Sequence, residues 1–312
     1  MKAFKIITAL VLVLAGLMAV CGEVIFFLMS HRKGNVDFLW SGEESEKNRK
    51  VRLKREADLE WLNSQPKDDY YITSDDGLKL HASLLKALTP TDRYVLCIHG
   101  YRCTGLKEFD SISRFYHEQG LNVFMIDHRA SGSSEGKYIT YGAKESLDCL
   151  KWLSFMRDTF GSDIKISLHG CSMGSATVMM LLGMDLPSNV KFAVSDCGYS
   201  SLKGQLTHNF TQYKMPVKLC YGLYKFFAKL HAGFNADDVC PVISLEKCKI
   251  PAIFIHGMED GFVPFDMVYA NYDACACPDK KLITVDEAEH VQSFQYSSEY
   301  KEAIRDYISK YM

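Results

Sequence analysis

Six short apolar runs, each ending on a turn or polar residue and each separated from the next by connecting chain that includes helix-length stretches, constrain this sequence most. They are RYVLCIHG, NVFMIDHR, IKISLHG, KFAVSD, PAIFIHG and KLITVD, and they lie between Arg93 and Asp286. Strands that alternate with helices imply a mostly parallel sheet covered on both faces. Ahead of the six, YYITSDDGLKLHASLL reads as two alternating strands around an Asp75-Asp76-Gly77 turn. The expected architecture is α/β, with one body over residues 69–312. In such sheets chemistry gathers at the carboxyl ends of the strands, and the unusual residues of this chain lie there.

The N-terminus departs from that pattern. Ile6 to Met29 is almost wholly apolar, follows Lys2 and Lys5, and slightly exceeds the roughly 20 residues that span a bilayer. Residues 1–30 are read as a single-pass membrane anchor, an N-terminal transmembrane helix. The competing reading is a cleaved secretory signal whose core stops near Val20. No good small-residue cleavage site follows, however, and the apolar run resumes from Val24 to Met29. Glu23 lies in the last third of the segment, where snorkelling or tilt relieves its cost. Lys2 and Lys5 on one side face Arg32, Lys33 and KNRKVRLKR on the other, so the charge count leaves the membrane side of the body open. Residues 31–68 form a charged juxtamembrane linker. A surface helix is expected from Ser41 to Asn63, with its apolar residues at Leu53, Leu59, Trp61 and Leu62. Its basic stretch is either a solvated face or a contact with anionic lipid.

Composition excludes some partners. A formal net charge of -2 and the lack of a zinc-finger or RNA-binding signature argue against nucleic acid. The 11 cysteines are scattered, several inside strand-like runs as Cys97 is, and are expected to be reduced. Cys275 and Cys277 have no second cysteine or histidine pair at ligand spacing, so they read as loop residues and no metal is expected.

In Gly170-Cys171-Ser172-Met173-Gly174 the glycines stand two before and two after the serine, between the strand IKISLH and the helical run SATVMMLLGM. This is the G-x-S-x-G pattern of a nucleophile elbow, a sharp turn that exposes its central side chain. Ser172 occupies the centre; Cys171 does not, and its side chain is expected to turn back into the sheet. A serine needs a base and an orienting carboxylate, in the chain order Ser, acid, His on this architecture. Of the 10 histidines, only His290, in DEAEH after the last strand, lies downstream of every plausible acid. His99, His169 and His256 end strands, and His31, His81, His117, His128, His208 and His231 lack the position. Asp260, in the loop MEDGFVP one strand before the histidine, is the expected acid, with Asp196 and then Glu259 as alternatives. Backbone N–H groups of Met173 and of Tyr101, after His99-Gly100, are the expected oxyanion donors.

Taken together, His99-Gly100-Tyr101, Asp127 to Ser134, Gly170 to Gly174, His256 to Asp260 and Glu289-His290 resemble the α/β-hydrolase superfamily from about Asp69 onward. Within it the chain looks like the serine-aminopeptidase-like and acylglycerol-lipase-like branch, and most like membrane-anchored members with an N-terminal helix. Ala130-Ser131 departs from that branch, which usually has Gly-His there. The resemblance implies hydrolysis of an ester, thioester or amide through an acyl-enzyme, with no metal or organic cofactor. A serine at the elbow argues against the dehalogenases and epoxide hydrolases of this fold. The expected function is a serine hydrolase acting on small-molecule or lipid-like acyl substrates. A serine amidase of the aminopeptidase type and an inactive membrane-tethered interaction module are the alternatives. Residues 199–242, rich in Phe, Tyr, Leu, Met and Lys, resemble a small lid insertion over the site; an ordinary helix pair packed on the sheet is the competing reading.

Overall fold

In the computed structural model, which describes residues 2–34 and 45–312, every one of those apolar runs is a strand. Residues 35–44, where the linker helix was expected to begin at Ser41, lie outside the described residues. The strands are β1 (Asp68–Thr73), β2 (Lys79–Leu85), β3 (Arg93–Ile98), β4 (Asn122–Ile126), β5 (Lys165–Cys171), β6 (Val190–Asp196), β7 (Ala252–Gly257) and β8 (Lys280–Val285). They form one eight-stranded sheet in the order β1-β2-β4-β3-β5-β6-β7-β8. The β1–β2 hairpin is antiparallel and joins antiparallel to β4; every pairing from β4 to β8 is parallel. The chain leaves β3 for β4 on one side and returns across it to β5 on the other. This reversal opens a crevice at the carboxyl ends of β3 and β5.

The central strands read as unbroken apolar runs because both of their faces are covered. Leu96 and Ile98 of β3 face one core, and Val95 and Cys97 face the other, as the two-residue period of a strand requires. The helices through residue 227 are α1 (Lys2–Ser30), α2 (Glu46–Ser64), α3 (Gly105–Glu108), α4 (Asp110–Glu118), α5 (Glu145–Phe160), α6 (Met173–Leu181), α7 (Leu202–Gln212) and α8 (Val217–Phe227). Trp152 of α5 and Val178 of α6 enter the first core; Tyr116 of α4 and Ile304 of the helix Ser298–Tyr311 enter the second. Each such fully buried aliphatic side chain contributes about 1.5–3 kcal/mol.

The linker helix is more than a surface connector. Ser45 caps α2 by accepting the Asn48 N–H, Leu62 is fully buried in the second core, and Trp61 packs edge-on against His117 of α4. Leu53 remains exposed. Helix α1 contains a segment, Phe4–Ser30, long and apolar enough to cross a membrane. Near its carboxyl end, Gly22, Phe26 and Ser30 are buried against the rest of the chain.

Candidate active site

The turn between β5 and α6 consists of Ser172 alone, held at φ 56° and ψ −120°, a conformation that costs a non-glycine residue of order 1–3 kcal/mol and persists only when the surroundings impose it. The flanking glycines show how they do so. A Cβ on Gly170 would lie 2.3 Å from the Gly174 carbonyl oxygen, and a Cβ on Gly174 would lie 1.8 Å from that of Ile98. Both glycines therefore let β5, α6 and β3 close on one another, and the Ser172 N–H donates to the Asp196 carbonyl at 2.9 Å. Cys171 is fully buried in the second core, and burial pushes its thiol well above the ordinary range.

His290 Nε2 lies 2.9 Å from Ser172 Oγ, and His290 Nδ1 lies 2.7 Å from Asp260 Oδ2. Asp260 is anchored in turn: its Oδ1 accepts the N–H groups of Phe262 and Val263, both at 2.9 Å, and His256 Nε2 lies 3.0 Å from its Oδ2. Burial alone would raise this carboxyl, but the charge of His290 and hydrogen bonds from His256 and His290 outweigh it and hold the group well below the usual carboxylate range. For His290 burial works toward a lower value, and the Asp260 charge and hydrogen bond more than offset it, leaving the imidazole raised.

The alternative acids point elsewhere. Asp196 accepts the Tyr300 hydroxyl at 2.9 Å, and burial pushes its carboxyl up to about 6. Glu259 is exposed and pairs with Lys47 at 3.4 Å. His256, which the sequence suggested was only a strand terminus, proves to be a partner of Asp260; the His-x-x-x-Asp spacing in HGMED is the signal that could have revealed it.

The expected oxyanion donors flank the serine. Met173 is the first residue of α6, so its N–H has no intrahelical acceptor. Gly100, which precedes Tyr101, comes so close that its own Cβ would lie 3.1 Å from that of Ser172. Behind it the buried Glu108 accepts the Gly100 N–H at 3.3 Å, and Arg55 of α2 reaches Asp110 at 2.9 Å and Glu108 at 4.0 Å. The amino end of α2 also grips the histidine loop. The Asn48 amide donates to both carboxylate oxygens of Glu289, at 3.1 and 3.0 Å, and accepts from Gln292 at 3.0 Å; Lys47 donates to the Glu287 carbonyl. No local pattern in the linker signals these contacts. At the departure from the usual glycine, Ala130 takes φ 60°, a region glycine enters freely.

Above Ser172 lies an apolar cavity of about 120 Å³, bounded in part by Tyr101, Met173, Tyr199, Leu206 and Phe210. This is many times the ~10–15 Å³ one water needs. Tyr199, Leu206 and Phe210 come from the segment 199–242, whose helix α7 lines the cavity. Among the described residues one group brings three metal-type ligand atoms within 4.8 Å of one another: Cys197, Asp260 and His290. The last two are engaged with each other and the Cys197 thiol is raised far up by burial, so the donor set suits proton transfer better than a cation.

A family model described as the alpha/beta hydrolase fold matches residues 94–219. The chain is 26% identical over 263 residues to the uncharacterized protein YqkD of Bacillus subtilis, covering 82% of this chain and 85% of that one. It is 26% identical over 200 residues, 63% of this chain and 64% of the relative, to the uncharacterized membrane protein YNL320W of Saccharomyces cerevisiae. Among solved structures, the Pyrococcus furiosus esterase Pf2001 superposes with a TM-score of 0.64 at 24% identity, covering 87% of this chain and 96% of that one.

Proposed function

We propose that this chain, a member of the α/β-hydrolase superfamily, is a membrane-anchored serine hydrolase that cleaves ester or thioester bonds of apolar acyl substrates. The observation that carries this reading is the unbroken relay from Ser172 Oγ through His290 to Asp260 at the floor of an apolar cavity. His290 Nε2 takes the Ser172 proton as Oγ bonds to the acyl carbon, and the carbonyl π pair moves onto oxygen. The N–H groups of Met173 and Tyr101 hold that oxyanion, each worth roughly 3–4 kcal/mol when well aimed. The intermediate collapses as the bond to the leaving alkoxide or thiolate breaks and His290 returns the proton to it. Water, deprotonated by the same imidazole, then releases the acid and restores Ser172. Asp260 keeps the Nδ1 proton in place and balances the imidazolium charge. The anchor is supported by the exposed apolar length of α1 and by a relative named as a membrane protein.

A serine amidase would use the same relay, but the cavity's apolar lining favours an acyl chain over a charged amine. A chain-length series of p-nitrophenyl esters tests this. Each methylene buried in the cavity adds about 0.8 kcal/mol, so medium-chain esters should show higher kcat/KM than the acetate. A maximum at acetate, or activity confined to amino-acid amides, would overturn the acyl-chain reading.

The pH dependence of kcat/KM follows from the raised imidazole. The base works only when neutral, so activity should rise with pH through the His290 pKa, with its midpoint above the ordinary histidine value of 6.5. A rate plateau extending well below that value would mean that another group is the base.

A further inference from the structure

The cavity over Ser172 has a wall from an unexpected source. Ile25, Leu28 and Met29 line it, and all three belong to the last two turns of α1. Those turns are held by two loops, the one after β3 that carries Tyr101 and the one between β4 and α5. Tyr101 Oη and Tyr141 Oη donate to the Met29 carbonyl at 2.6 and 2.7 Å. Arg102 donates to the carbonyls of Leu28 at 2.9 Å and His31 at 3.1 Å, and the Ile139 N–H donates to Ser30 at 2.7 Å. These include the terminal carbonyls that a helix cannot satisfy for itself, so the body caps α1 with groups from beside the nucleophile. Laterally, Gly22 sits so tightly on α8 that a Cβ there would lie 2.3 Å from the Phe227 ring. A segment that served only as a tether would need neither the cap nor side chains in the cavity.

Toward its amino end the same helix is bare: Phe4 is 75% exposed, Leu12 67% and Val20 62%. The wall of the cavity thus continues into a surface suited to lipid tails. Beside it α8 and the helical turn after it leave Leu219, Phe226 and Leu230 exposed, with the exposed Lys218 and Lys229 among them. An apolar stripe flanked by basic residues suits the headgroup layer of a membrane.

We infer that the last two turns of α1 are part of the acyl-binding site and that the substrate is an ester whose acyl chain resides in the bilayer, reaching Ser172 along Ile25 and Leu28. This inference rests on the serine-hydrolase reading. It makes α1 a determinant of specificity rather than an anchor alone.

The test uses the full chain in phosphatidylcholine vesicles, with Leu28→Trp to fill the wall, Leu28→Ala to open it, and Leu14→Trp as a control on the exposed face of α1. The readout is the ratio of kcat/KM for p-nitrophenyl dodecanoate to that for the acetate, taken on protein that still labels with a fluorophosphonate. Leu28→Trp should lower the ratio about ten-fold or more, as expected for a blocked apolar pocket. Leu28→Ala should move the preferred chain length upward, and Leu14→Trp should change neither. A hexadecanoyl ester placed in the enzyme's own vesicles should turn over far faster than the same ester supplied in separate vesicles. An unchanged ratio in both Leu28 variants, or equal turnover from the two vesicle arrangements, would overturn the inference while leaving a working esterase. Wild-type protein that neither labels nor cleaves any ester would instead overturn the hydrolase reading beneath it.

Discussion

Ser172→Ala is expected to remove esterase activity and fluorophosphonate labelling together, lowering kcat by about a millionfold, the scale of loss when the nucleophile of such a relay is deleted. The expectation follows from geometry: Ser172 Oγ is the hydroxyl that His290 Nε2 reaches, at 2.9 Å. The substitution removes one oxygen from a turn whose backbone is held by Gly170, Gly174 and the Asp196 carbonyl, so the variant should fold. Cys171→Ala is the matched control. Its thiol is fully buried on the far face of the sheet, and the variant should keep most of its activity while losing some stability to a small cavity. A folded but inactive Cys171→Ala protein, or an active Ser172→Ala protein, would move the nucleophile.

Asp260→Asn is expected to cost about ten-thousandfold in kcat. An amide at this position can offer its NH₂ to His290 and thereby favour the tautomer with the proton on Nε2, which cannot accept the Ser172 proton. It also removes the charge that keeps the imidazole raised. Asp196→Asn should leave the rate within an order of magnitude, because that carboxylate serves Tyr300, and His290→Ala should fall to near background. Comparing kcat for the two asparagine variants decides between the acids: a larger loss in Asp196→Asn would shift the role to the end of β6. The same carboxyl has a stability signature. Because the folded value of Asp260 is depressed, its contribution to stability is present above the ordinary aspartate range and is lost as pH falls toward the depressed value.

The strands, the elbow and the place of Ser172 at its centre were legible because they are local. A strand buried on both faces must be apolar throughout, and a backbone turned as sharply as that around Ser172 must have glycine where β5 and α6 meet, so both leave marks within a few residues. The reason for the glycines was only partly visible. In the sequence the glycines mark a sharp turn that exposes the central side chain; the structure adds that Gly174 is needed because the Ile98 carbonyl lies against it.

What a single residue does at long range leaves no such mark. Asp260, Asp196 and Glu259 are all carboxylates near strand ends, and only the placement of the loops after β7 and β8 decides which of them meets His290. In the same way Asn48 holding Glu289, Arg55 reaching Asp110, and Leu28 lining the cavity join segments far apart in the chain, each through one or a few side chains. The sheet and the turn that carries Ser172 could be read from the sequence alone, because periodicity and steric need act on neighbours along the backbone. Which carboxylate meets His290, what supports the histidine loop and which helix walls the pocket became visible only in the folded chain. Those depend on which surfaces pack together, and a hydrophobic residue or a carboxylate suits many such surfaces equally well until the fold selects one.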